Sequence, residues 1–188
     1  MCGRYALFLN PELRDLFYEM QERGRKFKTG EIFPTDRVPV LMREYGKLEP
    51  EAVQWGFPSY RGKSVIINAR AETAPQKPMF RSCISSGRCV IPSTGFYEWT
   101  HDGKKTKYLF RFPNSGALYM AGLFRVFDGE GRFVILTTGA NQSMREVHNR
   151  MPVVLNKDNL NSWLDDTSAA LNILREVPPE LLKTPAEG

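Results

Sequence analysis

The chain has 188 residues, 41% of them hydrophobic and 25% charged, which is ordinary for a globular protein large enough to build its own core. Its net charge is +5, with the excess in the middle: residues 51–150 hold 14 basic and 7 acidic side chains, residues 151–188 hold 3 and 6. No apolar run nears the roughly 18 residues of a membrane helix, no secretory leader pattern is present, and three cysteines (Cys2, Cys83, Cys89) lack disulfide or zinc spacing, so a cytoplasmic protein without metal or cofactor is expected.

The chain opens Met1-Cys2-Gly3-Arg4-Tyr5. Removal of Met1, expected because the next residue is small, would leave Cys2 with an α-amine and a thiol two bonds apart. Their ordinary pKa values are about 8 and about 8.5, so part of each is deprotonated near neutral pH. Such a 1,2-aminothiol can condense with an aldehyde, or act as an N-terminal nucleophile carrying its own base. The plain alternative is an incidental cysteine at a frayed end.

Asn10-Pro11-Glu12 is a helix start, and Leu13, Leu16, Phe17 and Met20 follow at helical spacing until Gly24 ends the run. Apolar runs at 38–43, 52–57, 64–69, 88–92, 106–112, 117–127 and 132–138 then read as strands, separated by turns such as His101-Asp102-Gly103 and Asp128-Gly129-Glu130-Gly131. Short helices are predicted at 77–86 and 141–147, and two more within 157–175, ended by Pro178-Pro179. The pattern predicts one α+β domain over 1–188. A strand-rich, barrel-like core with antiparallel or mixed pairing is flanked by short helices. Residues 2–175 form the folded part and 178–188 a loose tail.

Four clusters can carry chemistry. His148, between a polar stretch and an apolar strand, can move protons near neutral pH or sit satisfied in the core. His101, in a polar turn, reads as solvated. Glu98, alone among aromatics in Thr94-Gly95-Phe96-Tyr97-Glu98-Trp99, is either on an exposed face or buried and suited to acid–base work. Asn68 and Arg70 end a strand with side chains on one face, where an amide could hold a sugar hydroxyl and a guanidinium a phosphate. Arg4, Arg70, Arg88 and Arg150 with Trp55, Phe96, Tyr97 and Trp99 supply cations and stacking surfaces of the kind that suit single-stranded nucleic acid; core aromatics with surface charge would look the same.

These motifs, taken in order, resemble the SRAP family, the SOS response-associated peptidase proteins that shield abasic sites. The matching stretches are Met1-Cys2-Gly3-Arg4-Tyr5, Phe33-Pro34-Thr35, Trp55-Gly56-Phe57-Pro58, Asn68-Ala69-Arg70-Ala71-Glu72 and Arg88-Cys89-Val90-Ile91-Pro92. They continue through Gly95-Phe96-Tyr97-Glu98-Trp99, Ala121-Gly122-Leu123, Ala140-Asn141 and His148-Asn149-Arg150-Met151-Pro152. Asn149 stands where the family usually has Asp, and the segments around Pro34 and after Pro58 are altered.

The resemblance implies a monomer that binds single-stranded DNA containing abasic sites. It would form a covalent thiazolidine through Cys2 after Met1 is lost, during the DNA damage response and close to the nucleoid. Its implied catalytic set is Cys2, Asn68, Glu98 and His148. Asn68 would hold the N-terminus or the sugar, while Glu98 and His148 would move protons. Its implied DNA contacts are Arg4, Pro34, Trp55, Arg70, Trp99, Thr137, Thr138 and Arg150, with Cys83 and Cys89 in the core. The family name adds peptidase and lyase labels. Two other readings compete: an N-terminal-nucleophile amidohydrolase of the glutamine amidotransferase kind, and a non-covalent single-strand binder. The first lacks its further motifs here, and the second would gain no covalent mass from a lesion.

Overall fold

The computed structural model describes residues 2–44, 46–59, 62, 64–113 and 115–187. Strand β1 (Tyr5–Leu7) leads into helix α1 (Pro11–Glu22), then β2 (Gly30–Ile32), β3 (Arg37–Glu44), β4 (Lys47–Trp55), β5 (Phe57–Pro58), β6 (Val65–Ile66) and β7 (Asn68–Arg70). Helix α2 (Arg81–Ser86) precedes β8 (Arg88–Ser93), β9 (Gly95–Trp99), β10 (Lys107–Arg111), β11 (Leu118–Phe127) and β12 (Glu130–Gly139). The chain ends with β13 (Arg150–Pro152), β14 (Val154–Leu155), a short 3-10 turn, α3 (Leu160–Asp165), α4 (Thr167–Ile173) and β15 (Leu182–Pro185).

Helix α1 starts where the sequence predicts: the Asn10 side chain accepts from the Leu13 N–H at 3.0 Å, and Leu13, Phe17 and Met20 form its buried face. The core is a closed five-stranded barrel, β12-β4-β3-β8-β11 and back to β12, antiparallel except for the parallel β4–β12 pair. Asp128 and Gly129, both at positive φ (49° and 81°), make the tight turn that joins β11 to β12. The α+β, barrel-like expectation is met.

A second sheet, all antiparallel in the order β15-β10-β9-β1-β2, packs beside the barrel. Gly95 makes the corner by which the chain leaves β8 and enters this sheet. It sits at φ +149°, and an added Cβ would lie 2.5 Å from the Phe110 carbonyl oxygen, so only glycine fits. Strand β7 extends the barrel sheet by pairing parallel with β12, and β13 pairs with the same strand. Three chain segments far apart in sequence therefore meet at one end of β12.

Three expected elements differ. Residues 182–185, expected within a loose tail, form an edge strand against β10. The helix at 77–86 is confined to Arg81–Ser86, because Pro75 and Pro78 leave only turns before it. Residues 142–147 are hydrogen-bonded turns, with the Asn141 side chain taking the Ser143 N–H (3.1 Å) and reaching the Pro178 and Pro179 carbonyls (2.9 Å each).

Candidate active site and nucleic-acid interface

The start of the chain is threaded into the second sheet. Tyr5 pairs with Phe96, and the Tyr97 N–H donates to the Arg4 carbonyl at 2.9 Å, so the antiparallel register carries residues 2–4 alongside Glu98. Cys2 is 1% exposed, and its thiol lies 3.9 Å from the Arg4 carbonyl. Burial, and then the negative charge of Glu98, push the thiol well above the ordinary cysteine range. A frayed end is excluded. The expected loss of Met1 concerns a residue outside those described.

Alternation along β9 sorts its side chains. Phe96 stacks on Phe110 in the core (5.3 Å, 12° between planes) and Glu98 follows on that face at 5% exposure, while Tyr97 and Trp99 take the other. Of the two readings of Glu98, the buried one holds. His148 is half-buried, and its Nδ1 accepts the Arg150 N–H at 2.9 Å, which leaves Nε2 to carry the proton of the neutral ring. Burial lowers its proton affinity below the ordinary histidine value, and Glu98 partly restores it. Glu98 thus acts on both the Cys2 thiol and the His148 ring.

Asn68, at the start of β7, donates from Nδ2 to the Cys2 carbonyl at 2.9 Å. Its Oδ1 is buried without a hydrogen-bond partner among the described residues. Replacing Asn68 with alanine should slow any Cys2-dependent reaction by about 10–100-fold, because the nucleophile loses its tether; comparison of single-turnover rates checks this. Beside Asn68 opens a cavity of about 610 Å³ lined by Ile66, Arg70, Lys77, Met79 and Phe80. Arg70 is exposed there.

Arg4, two residues after Cys2, anchors a shelf of cations and aromatic rings. The Arg4 guanidinium sits 4.1 Å from the Phe33 ring and 5.0 Å from the Trp99 ring, and Lys107 lies 4.5 Å from the Tyr97 ring. Arg4 and Lys107 both reach Glu31 (3.2 and 3.1 Å), whose carboxyl is held below its usual range by them against the cost of burial. Pro34 is half-buried next to Phe33. Sequence reading missed Glu31, Phe33 and Lys107. The register that sets Lys107 across from Trp99 was not visible in either strand alone. Also missed was Tyr5, whose buried hydroxyl has no partner among the described residues and is pushed up by burial and by the neighbouring Cys2.

Several expected contacts lie elsewhere. Trp55 is fully buried, tilted on Tyr5 and stacked on Phe133, with its indole N–H donating to the Ile67 carbonyl at 3.0 Å; it fills the barrel interior. Phe96 is likewise core. Thr137 does line the cavity beside Asn68 and Arg70, though it is buried and accepts from Arg150 at its carbonyl (2.6 Å) and hydroxyl (3.3 Å). Thr138 points away, into a separate cavity with Glu72, Leu171 and Leu174. Arg150 is held by Glu72 through its two terminal guanidinium nitrogens (2.5 and 2.9 Å), so its charge is already matched. Arg88 is buried and donates to the Ile84, Trp163 and Leu164 carbonyls and to Thr167, capping the ends of α2 and α3. Cys83 and Cys89 are buried thiols, as expected.

The family model for SOS response associated peptidase (SRAP) matches residues 1–185. The chain belongs to the SRAP family. Abasic site processing protein YoqW of Bacillus subtilis is 31% identical over 88% of the SRAP chain and 80% of its own length. YedK of Escherichia coli is 29% identical (87% and 79%), and HMCES of Xenopus tropicalis 25% (94% and 71%); both carry the same descriptive name. A solved protein from Bordetella bronchiseptica shares the fold with a TM-score of 0.80 at 22% identity, covering 99% of the SRAP chain and all of the other. No helix among the described residues is long and apolar enough to cross a membrane, and no group of three or more His, Cys, Asp or Glu among them could hold a metal.

Proposed function

We propose that this chain captures abasic sites in single-stranded DNA as a covalent adduct on Cys2. The observation that carries the reading is the tethering of Cys2 beside two proton carriers, with Asn68 gripping its carbonyl and Glu98 acting on both its thiol and His148. An abasic sugar interconverts between a closed hemiacetal and an open aldehyde. After Met1 is lost, the Cys2 amine adds to the aldehyde carbon, and the resulting carbinolamine loses water to give an imine. The thiol then adds across the C=N bond: sulfur bonds to carbon, nitrogen takes the thiol proton, and a thiazolidine closes. One water leaves overall.

Burial disfavours the thiolate, which favours handing the thiol proton directly to a base within the site. His148 and Glu98 are the two groups placed to take it. Glu98 also suits the earlier steps, opening the hemiacetal and protonating the departing hydroxyl. Because the His148 proton affinity is lowered, its neutral form persists to a lower pH than usual. The adduct rate should hold at neutral pH and fall only as the pH drops through that lowered value. The Arg4–Trp99–Lys107 shelf and Arg70 supply base stacking and phosphate contact.

The test is an oligonucleotide carrying a uracil-excised site, run on a denaturing gel beside one with a reduced abasic site. An adduct with the aldehyde form alone is expected; equal retention of both oligonucleotides would contradict the reading. Non-covalent affinity for the reduced form should fall about tenfold between about 50 and 200 mM salt, as two or three phosphate contacts release counterions. A salt-independent affinity would remove these basic groups from the account. Glutamine hydrolysis is expected to be absent.

A further inference from the structure

The chain holds only two histidines, and the fold brings them together. His101 lies in the β9–β10 turn, 47 positions before His148, yet the two ring centroids are 5.2 Å apart with planes tilted by 55°. The turn is fixed rather than loose. Thr100 Oγ1 donates to Asp102 at 2.6 Å, Asp102 takes the Lys104 N–H at 3.2 Å, and Thr100 takes the Thr106 N–H at 3.0 Å. His101 is exposed, whereas the ring it touches is half-buried. The solvated position expected for His101 holds, and the fold adds its contact with the His148 ring.

We propose that His101 is a positioning residue for His148: it packs on that imidazole and holds the ring against its hydrogen bond from the Arg150 N–H. Two imidazolium ions at this separation repel, so a proton on His101 disfavours one on His148. The other charges that bear on His148 divide in sign. Glu98 on β9 draws a proton toward the ring, and the amine at the chain start repels one. Arg150 on β13 is matched by Glu72. His101 adds to the side that keeps His148 neutral, and its ring limits how far the His148 ring can swing about the Nδ1 hydrogen bond to Arg150. His101 is thereby a local means of keeping a proton acceptor ready. This inference rests on the cross-linking reading for its consequence, but not for the pairing itself.

The pairing is measurable on the free, mature protein by imidazole NMR, where two histidines give two titration curves. In the native protein the His148 curve should lie below the ordinary histidine range. In His101→Gln that curve should move to higher pH. A His148 curve identical in native protein and His101→Gln would overturn the pairing. The second arm is the adduct rate against pH with a uracil-excised oligonucleotide. In His101→Gln the acid limb should move to higher pH, leaving the rate on that limb about threefold lower. A curve that moves while the rate profile stays put would overturn the positioning role. Absence of any adduct from the native protein would strike the cross-linking reading instead, with the NMR arm still deciding the pairing.

Discussion

Replacing Cys2 with alanine is expected to lower the yield of heat-stable adduct by at least about 100-fold while binding to single-stranded DNA persists. The reason lies in the two functions carried by one residue. Alanine keeps the small side chain that permits Met1 removal, so the terminal amine is still delivered next to Glu98 and Asn68. That amine can form an imine, which borohydride should trap. Without sulfur the imine stays open to hydrolysis and to β-elimination of the strand, so boiling or time should release it. Serine at this position should resemble alanine, because a neutral hydroxyl is a far weaker partner for the C=N carbon. Full-yield heat-stable adduct from Cys2→Ala would show that another nucleophile does the work. Loss of DNA binding would show instead that Cys2 is part of the interface.

Replacing Arg88 with methionine should destabilise the protein by about 3 kcal/mol, because the carbonyls at the ends of α2 and α3 lose a charged donor in a buried setting. Nη2 reaches the Leu164 carbonyl at 2.8 Å and Nη1 the Thr167 hydroxyl at 3.0 Å, with further donations to Trp163 and Ile84. For a domain of this size the loss corresponds to a fall in Tm of roughly 6–12 °C. Lysine should rescue little, since an ammonium cannot span four acceptors held in a planar fork. Calorimetry decides the matter, and the adduct rate well below the new Tm provides the contrast. An unchanged Tm with lost DNA binding would return Arg88 to the nucleic-acid interface.

Much of the barrel was legible because its strands announce themselves locally. The Asn10-Pro11 start of α1 and the Asp128-Gly129 turn each depend on a few adjacent residues, and each forms where those residues place it. Strand β15 does not announce itself: Leu182 is exposed, the segment lies among prolines, and only its partner β10 makes it a strand. Trp55 was misplaced despite a readable signal. Val53, Trp55 and Phe57 recur at the period of a strand, and all three face the core. The tie between Cys2 and Asn68 spans 66 positions, that between Arg150 and Glu72 spans 78, and no local pattern encodes either. Residue types suggested the chemistry; the closure of the sheet around β12 is what matches Arg150 with Glu72.

The most direct measurement is the intact mass of the mature protein after incubation with a short single strand bearing one uracil-excised site. The expected species weighs the protein without Met1 plus the oligonucleotide less one water, and peptide mapping places the bond at Cys2. Unmodified protein beside intact oligonucleotide, or an adduct on a chain that keeps its initiator, would contradict the account.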